Sequence, residues 1–401
     1  MTVEIREPDE EELRAAMVAA NTAFGSELRE EDYERERVTL PTERALVAFD
    51  RGAVGLAGAY AFDLTIPGGE LPCAGVTWVG VVPTHRRRGI LREFMRRQLE
   101  DVRSWGEPIA ALWASESAIY GRFGYGQAAP GVYMEAETRR FALRDDPGPV
   151  GSWHLVDADE ALRLFPPVYD SFRSGRSGML SRNEHWWREH RLADPEHWRQ
   201  GASPKFNAAF ELDGEVAAYA VYRVKEEWEH GFPKGAVRVT EAFATSAAAE
   251  RELWRYLFGV DLTTRLDVYS LDPASPLSLV VRDPRGLGLR LADALWLRLV
   301  DVEAALRARS YADGDPVVLR VHDELCPWND GGYRVGASVE RTDDAADLEL
   351  DVADLASTYL GAFDFLALAR ADRVREHRGG AITRASALFR TPLPPYCPEV
   401  F

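Results

Sequence analysis

Cysteine is scarce in this chain and scattered where it occurs. Cys73, Cys326 and Cys397 are the only three among 401 residues. They are odd in number, far apart and never in a C-x-x-C pair, which argues against a disulfide framework or a cysteine zinc cage. The eight histidines form no H-E-x-x-H pattern. The closest approach to one is His185 and His190 in "NEHWWREH", whose i, i+5 spacing does not put both on one face of an α-helix. No metal is therefore expected. No stretch nears ~18 uninterrupted apolar residues, so no membrane span is expected either. The opening "MTVEIREPDEEELRAAM" lacks the basic and apolar regions of a secretory signal. With the cysteine pattern, that points to a reducing cytoplasm. Basic residues are outnumbered, 48 against 65 acidic, for a formal net charge of −17. Nucleic acid and anionic membranes are poor partners for such a chain, and a cationic ligand is compatible with it. Solubility alone accounts for the acidity equally well.

What is present is ordinary material for large cores: 46% hydrophobic and 28% charged residues. At ~150 residues per domain the length suggests two or three domains. The first third reads as α/β. "DEEELRAAMVAANTAF" has the acidic first turn and apolar spacing of a helix. "RALVAFDRGAVGLAGAYAFDLTIPGGELPCAGVTWVGVV" reads as three or four strands, with turns at "DRG" and "PGGELP". "RRGILREFMRRQLEDVRSWG" is an amphipathic helix, "PIAALWAS" a buried strand, and "SAIYGRFGYG" a short helix closing in glycine-rich turns. After a linker at "RDDPGPVGS", the middle third repeats this order weakly: "FNAAFELDGEVAAYAVYRV" mirrors the first strand pair, and "KGAVRVTEAFATSAAAERELWRYLFGVD" mirrors the later strand and helix. Beyond about residue 285, "LADALWLRLVDVEAALRARSY" suggests a strand-like patch and a helix. Antiparallel strands follow, with "NDGG" as a hairpin turn, and a Pro-rich tail closes what reads as a separate α+β domain. The expected domains are 1–147, 148–285 and 286–401.

The stretch most in need of explanation is "GVVPTHRRRGILREFMRRQLE", three consecutive arginines in an acidic protein. A strand, a proline, the arginines, a glycine and then a helix form an anion cradle. The first helical turn presents unpaired N–H groups and the positive end of the dipole. Gly89 permits close backbone approach, and arginines add bidentate charge. The second copy has "TSAAAERE" in place of "PTHRRRGI", so the cradle is expected in the first copy alone.

Arg86-Arg87-Arg88-Gly89-Ile90-Leu91 resembles the acyl-CoA loop of the GCN5-related N-acetyltransferases, [RQ]-x-x-G-x-[GA], with Leu91 standing where Gly or Ala is usual. Together with "ALWASESAIYGRFGYG", a second degenerate copy and a third α+β domain, the chain resembles the enhanced intracellular survival (Eis) family. That resemblance implies two tandem GCN5-like domains, a sterol-carrier-like C-terminal domain and a homohexamer. It also implies acetyl-CoA as co-substrate, without metal, and as acceptor an amine on an aminoglycoside, a polyamine-like molecule or a lysine side chain. The implied acyl-CoA contacts are Val79, Gly80 and Val81 on the splayed strand, Arg87, Arg88, Gly89, Ile90, Leu91 and Arg92 in the loop and helix, and Ser115 and Glu116 beyond the partner strand. Tyr120, four residues before Gly124, is implied as the general acid, because its O–H can protonate the departing thiolate. Tyr125 is expected to pack instead. The terminal carboxylate of Phe401, delivered by "TPLPPYCPEVF", is implied as the base, and Glu27, Glu116 and Glu399 are candidates for attracting a cationic acceptor. Trp78, Trp113 and Phe24 are possible pocket walls, each more often core. Two other readings compete: a non-catalytic acyl-CoA or lipid-binding sensor, and an aminoacyl transferase. The intact Arg-Arg-Arg-Gly turn and the lack of a basic tRNA surface argue against the second.

Overall fold

The computed structural model describes residues 3–401. The chain forms two compact units. One comprises the chain up to Ala129 with Asp293–Pro395 and Glu399–Phe401; the other comprises Pro130–Ala292 with Tyr396–Pro398.

The first unit opens with β1 (Glu4–Arg6), α1 (Glu10–Ala23), α2 (Glu30–Thr39), β2 (Ala45–Phe49), β3 (Ala53–Ile66) and β4 (Gly69–Val81). It continues with α3 (Ile90–Ser104), β5 (Ile109–Trp113) and β6 (Gly126–Gln127). Helix α1 starts where it does because Asp9 and Glu12 cap each other's backbone N–H groups, and three glutamates in its first turn complement the dipole. Helix α3 buries Ile90, Phe94, Met95, Leu99 and Val102, while its arginines stay on the other faces. That stripe packs on the small residues Ala57, Ala59, Ala74 and Ala110, whose size lets the helix approach the sheet closely. Burying Phe94 and Leu99 contributes about 1.5–3 kcal/mol each. The sheet order is β1-β2-β3-β4-β5, then Leu295–Leu299, then β6. Strands β1 to β4 are antiparallel neighbours, whereas β4 and β5 run parallel because α3 carries the chain back between them.

A second sheet in this unit has the order Val339–Arg341, Gly331–Val335, Val317–His322, Leu348–Asp351, Val374–Glu376. It is mixed rather than purely antiparallel, since Val317–His322 and Leu348–Asp351 are parallel. The expected "NDGG" turn is also displaced. Gly331 and Gly332 lie within a strand, and the chain turns earlier, at Pro327–Asn329. Asn329 fixes that turn: it is buried, and its Nδ2 donates to Val300 O at 3.1 Å and Asp323 Oδ2 at 2.9 Å.

The second unit contains β7 (Pro130–Glu137), β8 (Ser152–Val156), α4 (Ala158–Arg173), β9 (Phe206–Leu212) and β10 (Glu215–Lys225). Strand Gly235–Ala244, helix Ala247–Phe258 and strand Thr263–Leu271 follow, the two strands pairing in parallel as β4 and β5 do. The repeated order read in the sequence thus corresponds to a repeated local topology. The two helix starts differ in a telling way. The Ser246 side chain caps its helix by accepting from Ala249 N–H, whereas the equivalent cap of α3 is Gly89, which has no side chain to occupy those donors. Two strands lie across the sequence-based boundaries. Pro130–Glu137 pairs in the second unit's sheet, and Leu295–Leu299 pairs antiparallel with β5 in the first.

His185 and His190 are closer than their spacing suggests, with ring centroids 6.3 Å apart. The segment Trp187–Leu192 is wound as a π-helix, in which i and i+5 share a face. Among the described residues, no group of three or more His, Cys, Asp or Glu is placed to hold a metal ion, and no helix is long and apolar enough to cross a membrane.

Candidate active site

The site begins with a defect in β4. Between the pairs Leu56–Gly80 and Gly58–Thr77, Trp78 and Val79 together oppose the single residue Ala57. Trp78 takes φ +56 to make this bulge. On its other edge, β4 pairs with β5 only from Cys73–Ile109 to Gly75–Ala111. Beyond Gly75 the strands part, so the edge of Val79-Gly80-Val81 turned to β5 opens onto a gap instead of a strand partner.

A cleft of about 780 Å³ occupies that gap. Of the residues expected from sequence to bind acyl-CoA, Val79, Gly80, Val81, Arg87, Gly89, Ile90, Leu91, Arg92 and Glu116 all line it, as does Tyr120. Gly89 adopts φ +83, and a Cβ built there would meet nothing within 4 Å. The N-terminal turn of α3 is therefore both uncapped by any side chain and open to approach. Arg87 sits beside it with φ +62, a left-handed conformation that a non-glycine residue adopts only at a cost.

The three arginines divide their work. Arg86 donates to the carbonyls of Ala23, at 2.9 Å, and Val81, at 3.3 Å, and so ties the loop to the ends of α1 and β4. Arg88, expected among the acyl-CoA contacts, is absent from the cleft's lining and lines an adjoining hollow with Asp50 and Glu93, which shares Gly89 and Ile90 with the cleft. Its Nη1 lies 3.7 Å from Asp50 Oδ2, and this carboxylate, which also holds His85 at 3.1 Å, gives it a partner elsewhere. Arg87 and Arg92 are left to face the cleft. Ser115, also expected there, falls in the exposed bend after β5 and outside the lining, one residue short of Glu116.

Tyr120 opens a single 3₁₀ turn, Tyr120–Phe123, in place of the short helix read from sequence, and Gly124 ends it at φ +81. The residue is 9% exposed. Burial, with the Glu116 charge nearby, pushes its pKa up to about 12, so the hydroxyl is protonated at neutral pH. Tyr125 meets the Tyr120 ring edge-on at 5.9 Å but is 1% exposed and does not line the cleft.

Phe401 lies on the β3–β4 hairpin, its ring 5.4 Å from that of Phe62. Glu399 is wholly buried, while Val400 between them is exposed. Phe24 is 57% exposed and lines the cleft, as do Glu324 and Leu325. Sequence reasoning missed both of the latter, which lie some two hundred residues beyond the loop they face. Glu324 Oε1 is 3.2 Å from Arg92 Nη2. No local pattern could have revealed this.

An antiparallel run, a bulged fourth strand parting from a parallel fifth, and an uncapped helix N-terminus over the gap define an N-acetyltransferase of the GCN5-related class. Models of the acetyltransferase (GNAT) domain match residues 4–128 and again 178–302, and a sterol carrier protein domain matches 302–398. An uncharacterized N-acetyltransferase of Streptomyces avermitilis is 44% identical over 94% of this chain and 95% of its own length. N-acetyltransferase Eis of Mycobacterium tuberculosis is 35% identical over 98% of each chain. The crystal structure of Eis1 from Mycobacterium abscessus superposes with a TM-score of 0.86 at 34% identity, covering both chains completely. This chain belongs to the Eis family of N-acetyltransferases. It carries two GNAT domains and a sterol-carrier-like domain, and it is an enzyme of acetyl transfer to an amine.

Proposed function

We propose that the chain transfers the acetyl group of acetyl-CoA directly to an amine of an aminoglycoside, a polyamine-like molecule or a lysine side chain. Arg87, Arg92 and the N–H groups at the start of α3 hold the pyrophosphate, and the open edge of Val79-Gly80-Val81 bonds the pantetheine amides as an added strand would. As the acceptor nitrogen bonds to the acetyl carbon, the carbon–sulfur bond breaks and Tyr120 gives its proton to the departing thiolate. The terminal carboxylate of Phe401 takes the proton lost by the acceptor nitrogen. The observation that carries this reading is the convergence on one cleft of an uncapped helix terminus, the arginines Arg87 and Arg92, and a buried, protonated tyrosine.

The experiment is CoA thiol release from acetyl-CoA against a panel of aminoglycosides, spermidine, lysine and lysine peptides. Release with multi-amine acceptors that is lost in Tyr120→Phe supports the reading. Full turnover in that variant removes Tyr120 from the mechanism, and binding of acetyl-CoA without release to any acceptor favours a sensor.

A further inference from the structure

The second copy has a gap of its own between parting strands. Strand Gly235–Ala244 pairs with strand Thr263–Leu271 only from Gly235–Thr263 to Val239–Val268, as β4 pairs with β5 only as far as Gly75. A bulge again marks the parting. Between the pairs Tyr222–Val239 and Val221–Glu241, Thr240 is left over on its strand. Beyond it, residues 242–244 line one wall of the gap and residues 270–272 the other. Phe172, near the end of α4, lines it much as Ala23 and Phe24, at the end of α1, line the first copy's cleft.

The two gaps differ in what they hold. The first copy's cleft has about 780 Å³ open, whereas this one keeps about 30 Å³, too little for a pantetheine arm. Tyr396, from the Pro-rich tail, stands in it and is 4% exposed. Its ring packs against Phe172 and Phe243, with centroids 6.3 Å away in each case. Its backbone N–H donates to Ser177 O at 2.9 Å, and its hydroxyl donates to Ser270 O at 3.0 Å. Ser270 lies beyond the last parallel pair, so the tyrosine takes up a strand carbonyl just where the strands part. Burial raises the Tyr396 pKa, which keeps that donor protonated. Polar groups around the ring are engaged with one another: Ser275 Oγ donates to Glu250 Oε1 at 2.8 Å, and Arg176 pairs with Asp272.

Residues Tyr396–Pro398 belong to the second unit and Glu399–Phe401 to the first. Phe401 follows Tyr396 by five residues, a reach of at most ~17 Å. Released at Tyr396, the arm would start from Phe389, whose carbonyl accepts from Arg309. Twelve residues of chain reach ~42 Å. Confinement to the smaller volume raises the concentration of the chain end at any one point roughly tenfold. The prolines at 394 and 395 stiffen the approach to the tyrosine.

Resting on the reading in which the terminal carboxylate is the base, we propose that Tyr396 is a positioning residue and that the second copy's gap is its socket. The place that holds acyl-CoA in the first copy holds the chain's own tail in the second, and the carboxylate of Phe401 is presented from there.

The test uses the full chain as wild type, Tyr396→Ala and Tyr396→Phe. Trimming by carboxypeptidase A, followed by intact mass, reads how firmly the chain end is held, whatever the activity. Thiol release from acetyl-CoA with spermidine reads kcat and KM. In Tyr396→Ala the proposal expects Phe401 to be removed at least tenfold faster and kcat to fall about tenfold, with the acetyl-CoA KM within twofold of wild type. A tyrosine that only filled the core would lower stability without separating kcat from KM. Tyr396→Phe keeps the ring in the socket and loses only the bond to Ser270 O. It shifts trimming and kcat the same way by less, and it carries the comparison should Tyr396→Ala fold poorly. Trimming within twofold of wild type in every variant that folds overturns the proposal. Faster trimming with unchanged kcat sustains the socket and removes the terminal carboxylate from the mechanism instead.

Discussion

The ring of Phe401 rests against Gly75, its Cε2 only 3.3 Å from where a Cβ would stand. Gly75 is also the last residue at which β4 pairs with β5. The chain's final residue is thereby seated where the central strands part, and the absent side chain makes the seat. A Cβ on residue 75 would also come within 2.5 Å of Phe62 Cε2, so both rings would have to move.

Gly75→Ala should therefore displace the C-terminus without touching the arginine loop. We expect a stability loss of about 1–3 kcal/mol from overpacking, at least a tenfold fall in kcat, and acetyl-CoA affinity within twofold of wild type. Deleting Phe401 should give the same kinetic split, because the terminal carboxylate then moves to Val400, which the structure leaves exposed. Unchanged kcat in both variants would remove the terminal carboxylate from the mechanism.

Tyr120→Phe should lower kcat by about 10²-fold or more while leaving acetyl-CoA binding intact, since the ring keeps its packing. The hydroxyl has its pKa raised from 10.0 to about 12, so the folded state holds this proton more tightly than the unfolded chain does. Its contribution to stability is full below pH 10 and fades as pH climbs through about 12. The kcat profile should accordingly show no alkaline limb from this group below pH 10. A limb near pH 8 that vanished in Tyr120→Phe would contradict the assignment.

The adjacent arginines should behave differently under one assay. Arg87→Ala should raise the KM for acetyl-CoA about tenfold, worth about 1.4 kcal/mol. Arg88→Ala should change it less than twofold, because that side chain faces Asp50 and does not line the cleft. Gly89→Ala meets no steric obstacle, so its cost in stability is the left-handed backbone alone, about 1–2 kcal/mol, with a further rise in acetyl-CoA KM. Equal effects of Arg87→Ala and Arg88→Ala would show that the loop rearranges on binding.

In the second unit, Glu241 is buried and accepts from Arg182 at 2.9 and 2.6 Å, from Arg191 at 3.0 and 2.6 Å and from Tyr219 at 2.5 Å. Burial alone would push its pKa up, but the two arginines overcome this and hold it at about 2. Glu241→Gln leaves two guanidiniums uncompensated and should cost about 3–5 kcal/mol in urea unfolding. For the native residue the folded pKa is depressed, so its contribution is present above about pH 4.5 and is lost as pH falls towards 2. A change under 1 kcal/mol would mean that water or rearrangement satisfies the arginines.

Much of the fold was legible because its signals are local. Alternating Val and Ala runs bounded by "DRG" and "PGGELP" produce β2, β3 and β4, and the apolar stripe of α3 can be counted along the chain. The loop lining the cleft was legible for the same reason: Arg87, Gly89 and the start of α3 lie within four residues of one another, and a glycine cap leaves helix donors open wherever it occurs. The spacing of Tyr120 before Gly124 likewise fixes a turn in which the tyrosine ring is held.

Other features belong to the tertiary structure alone. Arg88 turns away from the cleft because Asp50, at the end of β2, is there to receive it. Leu295–Leu299 joins the first sheet because β5 offers a free edge, and Glu324 reaches the cleft from the C-terminal region. The cluster in which Tyr60 and Trp78 donate to Glu36 spans 42 residues and depends on a bulge that no residue type announces. Sequence fixes periodicity and local backbone preference, which act within a turn or a strand. Which charge meets which across the fold is decided by packing, since burying a carboxylate is tolerable only where other elements bring donors to it.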